Sequence, residues 1–545
     1  MSRWLVPVAV LAVFWPCLCA GLVYDDWWNF DRNHALREHD WLALVTKPYY
    51  GPDTTYWRPI PSLAMGLAYL ARPFGVHLLA LVAHALAACA VAAIGRLVLG
   101  DARSANGAAL LFALHPLQVE SVAWASALPG VLSGLFVLLA MRTVLAWSAG
   151  TDGALPWPAF GWLLAALLSK ESGIVAVPLV AIAGLVAGGA RPRAAKLAVA
   201  AMAVAVGALW FVGHVAMVGW RPVVGDEIAW VPGMAQMAVR QLALLLVPWP
   251  LTPFRAHPGS DSSGLLDLAA VAALTAGVVL AGVHWRRFGL PWRIGGALLA
   301  GPLLLSAAMF DAVGPHPLTD RYLYVAVAGF ALCAAASLGQ RTAVWMALAI
   351  AYGGVAFAQC HVWRDDRSFV AHVASVSPTD PSVRVLAATL ALRAGDAAGL
   401  QEARDEYRIA LELWPDRSDP FTRRQRAASI AGLAWCDFCD PGCGAERCGS
   451  RLAERFAEAL RQDPRHVAAW VGLGVAHALN ARFERAEAAF ASALAIDPWC
   501  PEAWLNLART QFDMGCAAQA RESLRRALRC NPCLQLPECL LAELR

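Results

Sequence analysis

The stretch Trp4–Trp28, WLVPVAVLAVFWPCLCAGLVYDDWW, decides how the rest of the chain is read. An apolar run of about 20 residues, the length of a bilayer-crossing helix, ends in Tyr24-Asp25-Asp26-Trp27-Trp28. Two carboxylates thus stand at a membrane edge, beside tryptophans of the kind that settle at headgroup level. They are either the solvated end of a helix or the place where a lipid-linked substrate meets an aqueous acceptor. Arg3, the apolar run and Cys17-Leu18-Cys19-Ala20-Gly21 have the look of a signal peptide. The length of the run and the membrane sequence beyond it favour an uncleaved first span.

Working outward, the 545 residues are 59% hydrophobic and 15% charged, with mean hydropathy +0.51, which excludes an ordinary soluble protein. The net charge of +4 is spread over loops, which excludes a nucleic-acid partner and leaves Lys and Arg as topology markers. Apolar character ends near Cys360, and nine of the 14 cysteines follow residue 430. The expected organisation is all-α: a polytopic membrane domain over residues 1–362 and a soluble domain over 363–545.

The soluble part repeats itself. Trp470 and Trp504 are 34 residues apart, as are Pro464, Pro498 and Pro532, which is the tetratricopeptide period. Trp470, Leu473, Gly474, Ala486, Phe490, Ala493 and Pro498 fill one unit, and Trp504, Leu507, Ala508, Ala520, Leu524, Ala527 and Pro532 fill the next. Leu390, Ala403, Tyr407, Ala410 and Pro415 fit an earlier unit, and Pro381 precedes Pro415 by 34 residues. The gap from Pro415 to Pro464 is 49, so about 15 residues are inserted, among them Cys436, Cys439, Cys443 and Cys448. Four cysteines this close read as a zinc knot or as disulfides. The stacked α-solenoid presents a concave surface for a peptide or partner protein.

Apolar runs at about 4–23, 76–99, 105–118, 131–148, 157–169, 172–189, 197–217, 265–284, 294–310, 322–339 and 342–359 predict about 11 transmembrane helices. The runs 236–250 and 60–70 are bounded by prolines and read as re-entrant or interfacial. With the N-terminus cytoplasmic, the basic loops Arg96–Arg103, Arg191–Lys196, Arg286–Arg293 and Arg341 all face the cytoplasm. An odd count then places the repeats outside. Asp25-Asp26, Trp57-Arg58-Pro59, His115–Glu120, Lys170-Glu171 and Asp320-Arg321-Tyr322 all fall on that same outer face, as the parts of one site would.

These clusters, in order, resemble a known family. Tyr24-Asp25-Asp26, Tyr56-Trp57-Arg58-Pro59, His77 with His84, Phe112–Trp124, Leu168–Gly173, Asp320–Tyr324 and Trp363-Arg364-Asp365-Asp366 are similar to stretches of the transmembrane-and-tetratricopeptide-repeat protein O-mannosyltransferases and their bacterial relatives, within the GT-C class. The resemblance implies a GT-C-like membrane glycosyltransferase, set in a bacterial inner membrane. It would take a sugar from a polyprenyl-phosphate carrier and give it to a protein Ser/Thr hydroxyl on the non-cytoplasmic face. Mannose rests on the resemblance alone. There is one departure: where the family has a basic-acidic pair after His-Pro…Glu, this chain reads Ala127-Leu128-Pro129-Gly130.

Such a transfer needs a base for the acceptor hydroxyl and cations for the departing phosphate. Asp25 or Asp26 is the candidate catalytic base. Arg58, Lys170 and Arg321 are candidates for the phosphate, as bidentate fork or point charge. Glu120 and Glu171 would orient those cations or hold sugar hydroxyls, and Asp320 and Tyr322 join the substrate-binding set; His115, before Pro116 at a helix end, either belongs to that set or simply caps the end. His77 and His84 share a helical face and read as interior packing or hydrogen-bonding residues. No cofactor is required; a divalent metal between Asp25-Asp26 and His115 is chemically open but not favoured.

With the repeats outside the cytoplasm, disulfides become the favoured state of Cys436, Cys439, Cys443 and Cys448, and Cys530 and Cys533 pair either with each other or with that cluster. A competing reading is an inactive membrane-anchored scaffold that recruits envelope proteins. The Ala127–Gly130 departure supports it, and the retained charges in a membrane oppose it. A transporter would show an inverted repeat, and none is found.

Overall fold

The computed structural model describes the chain except residues 1–3, 31–32, 50–55, 151–153, 190, 220–229, 256–263, 309–315, 317, 415–419, 441–444, 532–533 and 535–545. All regular structure among the described residues is helical. The chain divides into two compact units, Met1–Phe369 and Val370–Arg545.

Among the described residues of the first unit six helices are long and apolar enough to cross a membrane: Phe74–Leu99, Ala125–Ala149, Arg193–Val218, Leu290–Ala308, Asp320–Leu338 and Thr342–Trp363. Other apolar runs form shorter helices, including Leu5–Cys19, Trp157–Ser169, Glu171–Val186 and Leu268–His284. The helix Ala102–Leu114 is buried along its length from Ser104 onward. Asp101 caps its start by accepting from the Ser104 N–H at 2.8 Å, and Gly100, at φ +79°, ends the helix before it. The helix stops at His115 because Pro116 drives the preceding residue to an extended backbone, φ −62° and ψ 129°. Short helical turns over Pro116–Ala127 follow before the chain resumes as Leu128–Ala149.

Two contacts fix how the helices meet. A Cβ on Gly329 would lie 2.3 Å from the Leu299 nitrogen and 2.5 Å from the Gly295 oxygen, so Leu290–Ala308 and Tyr324–Leu338 touch backbone to backbone. The first helix runs parallel to Thr342–Cys360. Val13 meets Gly353, the Trp15 and Phe357 rings lie 6.4 Å apart, and the Gly21 N–H donates to the Arg364 carbonyl at 2.9 Å.

The second unit stacks helix pairs. Pro381–Ala394 precedes Ala397–Leu413, Pro420–Phe438 precedes Ala445–Gln462, Val467–Leu479 precedes Phe483–Ile496, and Pro501–Asp513 precedes Ala517–Cys530. The residues expected at repeat positions do repeat their roles. Trp470 and Trp504 each donate an indole N–H to the carbonyl of the proline six residues before, at 2.8 and 2.7 Å. Ala486, Phe490 and Ala493 are fully buried, and so are Leu524 and Ala527. The extra length before Pro464 is taken up as longer helices, of 19 and 18 residues against 13 and 14 in the next pair. Cys436 is buried and Cys439 exposed, both as thiols. Cys443, Cys533 and the side chain of Cys448 lie outside the described residues.

Candidate functional site

The turn after the first helix is built around Asp26. Its side chain accepts from the Val23 N–H at 3.0 Å and from the Ser126 N–H at 2.8 Å, and the Ser126 hydroxyl donates to the same carboxylate. Asn29 adds a bond to the Ser126 hydroxyl at 2.6 Å. Tyr24 takes a left-handed backbone at φ 62°, and its N–H and the Trp27 indole donate to Asp366 at 2.9 and 3.3 Å. Asp26 is thus 1% exposed and committed to holding the turn. Asp25 differs, since its Oδ1 is buried with no hydrogen-bond partner among the described residues. Burial raises Asp25 to about 6 against the pull of Arg321. Burial together with the charge of Asp25 raises Asp26 to about 7.

Three ion pairs surround this turn or lie near it. The Arg58 guanidinium forks onto Glu171, with Nε and Nη2 donating at 2.9 and 2.6 Å, and its charge lies 4.4 Å from the centre of the Tyr56 ring. Arg321 donates to Glu120 and stacks over Trp124 and Tyr322 at 4.9 and 5.0 Å. Glu120 also accepts the Asp320 N–H at 3.0 Å. Arg255 pairs with Asp320 at 2.6 Å and donates to the carbonyls of Leu318 and Pro250 at 3.1 and 2.6 Å.

Lys170 stands in the connection between Trp157–Ser169 and the turn Glu171–Val175, where its own backbone is extended. Its Nζ lies 5.2 Å from the centre of the Tyr322 ring, and a Cβ on Gly130 would sit 3.4 Å from it. Among the described residues no carboxylate pairs with it, since Glu171 holds Arg58 and Glu120 holds Arg321. Burial, then the charges of Arg58 and Arg321, push Lys170 down to about 7. The departure Ala127–Gly130 therefore lies inside the site: Ser126 just before it anchors Asp26, and Gly130 leaves the Lys170 amine uncovered.

Most of the residues picked from the sequence meet in this one cluster: Asp25, Asp26, Arg58, Glu120, Lys170, Glu171, Asp320, Arg321 and Tyr322. His115 is the correction. It is wholly buried, its Nδ1 accepts from the Leu117 N–H at 3.3 Å, and its Nε2 bonds to the Leu245 carbonyl at 3.1 Å. Both ring nitrogens are bonded to backbone, which makes His115 part of the kink before Pro116. His84 bonds to the Tyr324 hydroxyl and the Ala113 carbonyl at 2.9 and 3.0 Å, as an interior residue should.

Sequence reasoning missed Ser126, Arg255 and Asp366. Asp366 was visible in Trp363-Arg-Asp-Asp, and Arg255 follows the proline-bounded run 236–250 closely enough to have been suspected. Ser126 carried no signal.

Residues 480–532 match the tetratricopeptide repeat family. Over 187 residues, 32% of this chain, the sequence is 33% identical to protein O-mannosyl-transferase TMTC3 of Mus musculus, covering 20% of that protein. TMTC3 of Homo sapiens is 30% identical over 187 residues, with the same coverage of 32% and 20%. Among solved structures, TTC0263, a thermophilic TPR protein of Thermus thermophilus, aligns with 36% of this chain and 94% of its own, at 19% identity and TM-score 0.26. The chain spans about a fifth of the length of the curated relatives it matches. It is similar to the TMTC protein O-mannosyl-transferases over about a third of its own length and carries tetratricopeptide repeats in its C-terminal unit.

Proposed function

We propose that this chain is an integral membrane glycosyltransferase. It takes a sugar, mannose in this reading, from a polyprenyl-phosphate carrier and passes it to a Ser/Thr hydroxyl of a protein on the non-cytoplasmic face. The observation that carries the proposal is the balance of charge in the cluster. Among the described residues three pairs, Arg58–Glu171, Arg321–Glu120 and Arg255–Asp320, take up six of the charges there, and Asp366 is held by Tyr24 and Trp27, which leaves Asp26, Lys170 and Asp25. Asp26 is consumed by its own hydrogen bonds. What remains is one uncovered cation and one uncovered carboxylate, both within the field of Arg321. Those are the two groups the reaction needs.

Lys170 takes the carrier phosphate, beside Arg321 and Arg58, and the anion restores the charge on the amine. The phosphate then leaves with the C1–O bond electrons of the sugar, stabilised by fixed cations in a site of low dielectric. Asp25 accepts the proton of the acceptor hydroxyl as its oxygen bonds to C1. A carboxylate raised to about 6 is a better base than an exposed one and is still ionised at neutral pH. Asp26 is a positioning residue. A phosphate is a good leaving group, so the reaction as proposed runs without a metal or other cofactor.

The parallel packing of the first helix with Thr342–Cys360 supports the sidedness: if both cross the bilayer, the N-terminus and the segment beyond Cys360 lie on opposite sides. The repeats are proposed to receive the acceptor protein or a partner enzyme. The resemblance of the chain to proteins named O-mannosyl-transferases supports the sugar and the acceptor class. The test uses purified protein in nanodiscs with radiolabelled polyprenyl-phosphate mannose and Ser/Thr-containing peptides. Label should appear on peptide hydroxyls. Transfer from a nucleotide sugar and none from the lipid-linked donor would overturn the donor assignment.

A further inference from the structure

The parallel register between the start of the chain and the segment around residue 360 places two cysteines together. Val13 meets Gly353, Trp15 meets Phe357 at 6.4 Å, and Gly21 bonds to Arg364 at 2.9 Å. Between these steps stand Cys17, in the turn Trp15–Cys19, and Cys360, the last residue of its helix. Cys17 precedes Cys360 by 343 positions, as Gly21 precedes Arg364, so the two cysteines stand at the same level of this register. Both are buried, at 0% and 1% exposure, and the Cys360 thiol also reaches the Val13 carbonyl at 4.0 Å. No other cysteine among the described residues shares this layer in the same way: Cys19 is exposed.

We propose that Cys17 and Cys360 are joined by a disulfide in cells, a bond that staples the first helix to the segment bearing Arg364 and Asp366. That segment is what holds the Asp25-Asp26 turn, through Gly21 to Arg364 and through Tyr24 and Trp27 to Asp366. The bond lies at the end of both helices nearest the turn, so it fixes the base of the candidate site. It forms as the chain folds, before the thiols are buried. One thiolate attacks the disulfide of an exchange protein in the extracytoplasmic compartment and a mixed disulfide results. The second cysteine then displaces the partner as its thiol, so that two protons leave and two electrons reduce the partner's disulfide. The proposal uses the sidedness argued above but not the transfer chemistry.

The experiment is a cysteine map of the full-length protein. Cells are lysed under denaturing conditions with N-ethylmaleimide present, and the protein is digested without reductant and analysed by mass spectrometry. A peptide joining residues 17 and 360, two hydrogen masses lighter than the sum of its parts and split by reductant, is expected. Cys19→Ser should leave it intact, and Cys17→Ser should leave Cys360 labelled with the maleimide. In the wild type, reduction should speed amide hydrogen exchange across residues 21–27. Maleimide on both Cys17 and Cys360 in the wild type, or a bond from Cys360 to Cys19, overturns the proposal. Sugar transfer is not the readout, so its absence would not mimic failure here.

Discussion

Replacing Lys170 with Met is expected to slow transfer and to stabilise the protein in the same stroke. The amine is held without a carboxylate partner among the described residues, between Tyr322 and Gly130, and its pKa falls from 10.5 to about 7, chiefly through burial. At ~1.4 kcal/mol per pKa unit, keeping it charged in the empty fold costs on the order of 5 kcal/mol. The folded pKa lies below the unfolded one, so this cost is fully present below about pH 7 and fades as the pH rises toward 10.5. Met matches the length of the side chain and removes the charge. Thermal unfolding of K170M should therefore show a raised midpoint near pH 6 and a much smaller gain near pH 9. Transfer moves the other way. A hydrogen bond to a charged group is worth about 1.5–3 kcal/mol, so kcat/KM for the lipid-linked donor should drop by ~10–150-fold. The assay is initial-rate transfer in nanodiscs beside differential scanning fluorimetry of the same preparation. An unchanged kcat/KM in K170M, or a lowered midpoint near pH 6, would refute the idea that Lys170 is an uncovered phosphate receptor.

In the wild type, kcat/KM against pH should be bell-shaped, with an acid limb near 6 from Asp25 and an alkaline limb near 7 from Lys170. A flat profile over that interval would contradict both assignments. Arg255→Met strands the buried Asp320 carboxylate, and breaking a buried pair costs about 3–5 kcal/mol. Its thermal midpoint should fall, and Asp320→Asn in the same chain should recover part of the loss. In the repeats, Gly474→Ala puts a methyl 2.5 Å from the Phe490 ring, an overpacking worth about 1–3 kcal/mol. Circular dichroism should show a lower melting temperature for this variant.

The two halves of the molecule were legible to different degrees. The repeats were readable because each unit buries the same positions, so Trp470 and Trp504, or Ala493 and Ala527, declare themselves by spacing. The membrane part was readable as helices and as a list of polar clusters, because charge among apolar residues is costly enough to stand out. How those clusters pair was not. The Arg58–Glu171 and Arg321–Glu120 pairs join residues 113 and 201 positions apart, and no local pattern encodes such a match. His115 misled for a related reason. A histidine before a proline at a helix end looks the same whether its nitrogens meet a substrate or, as here, the backbone of Leu117 and Leu245. Asp25 and Asp26 are adjacent and chemically alike, and what tells them apart is the bonding of Asp26 to the Val23 N–H and to Ser126, 100 residues on.

That division of labour is what most needs measuring. Asp25→Asn and Asp26→Asn proteins in nanodiscs, given labelled polyprenyl-phosphate mannose and an acceptor peptide, should separate cleanly. Removing the base should cost Asp25→Asn at least ~10²–10⁴-fold in kcat while it binds donor as the wild type does. Asp26→Asn, which keeps an oxygen for the Ser126 N–H, should retain measurable transfer with a lowered thermal midpoint. Wild-type transfer by Asp25→Asn, or its loss in Asp26→Asn alone with the fold intact, would contradict the assignment of Asp25 as the base.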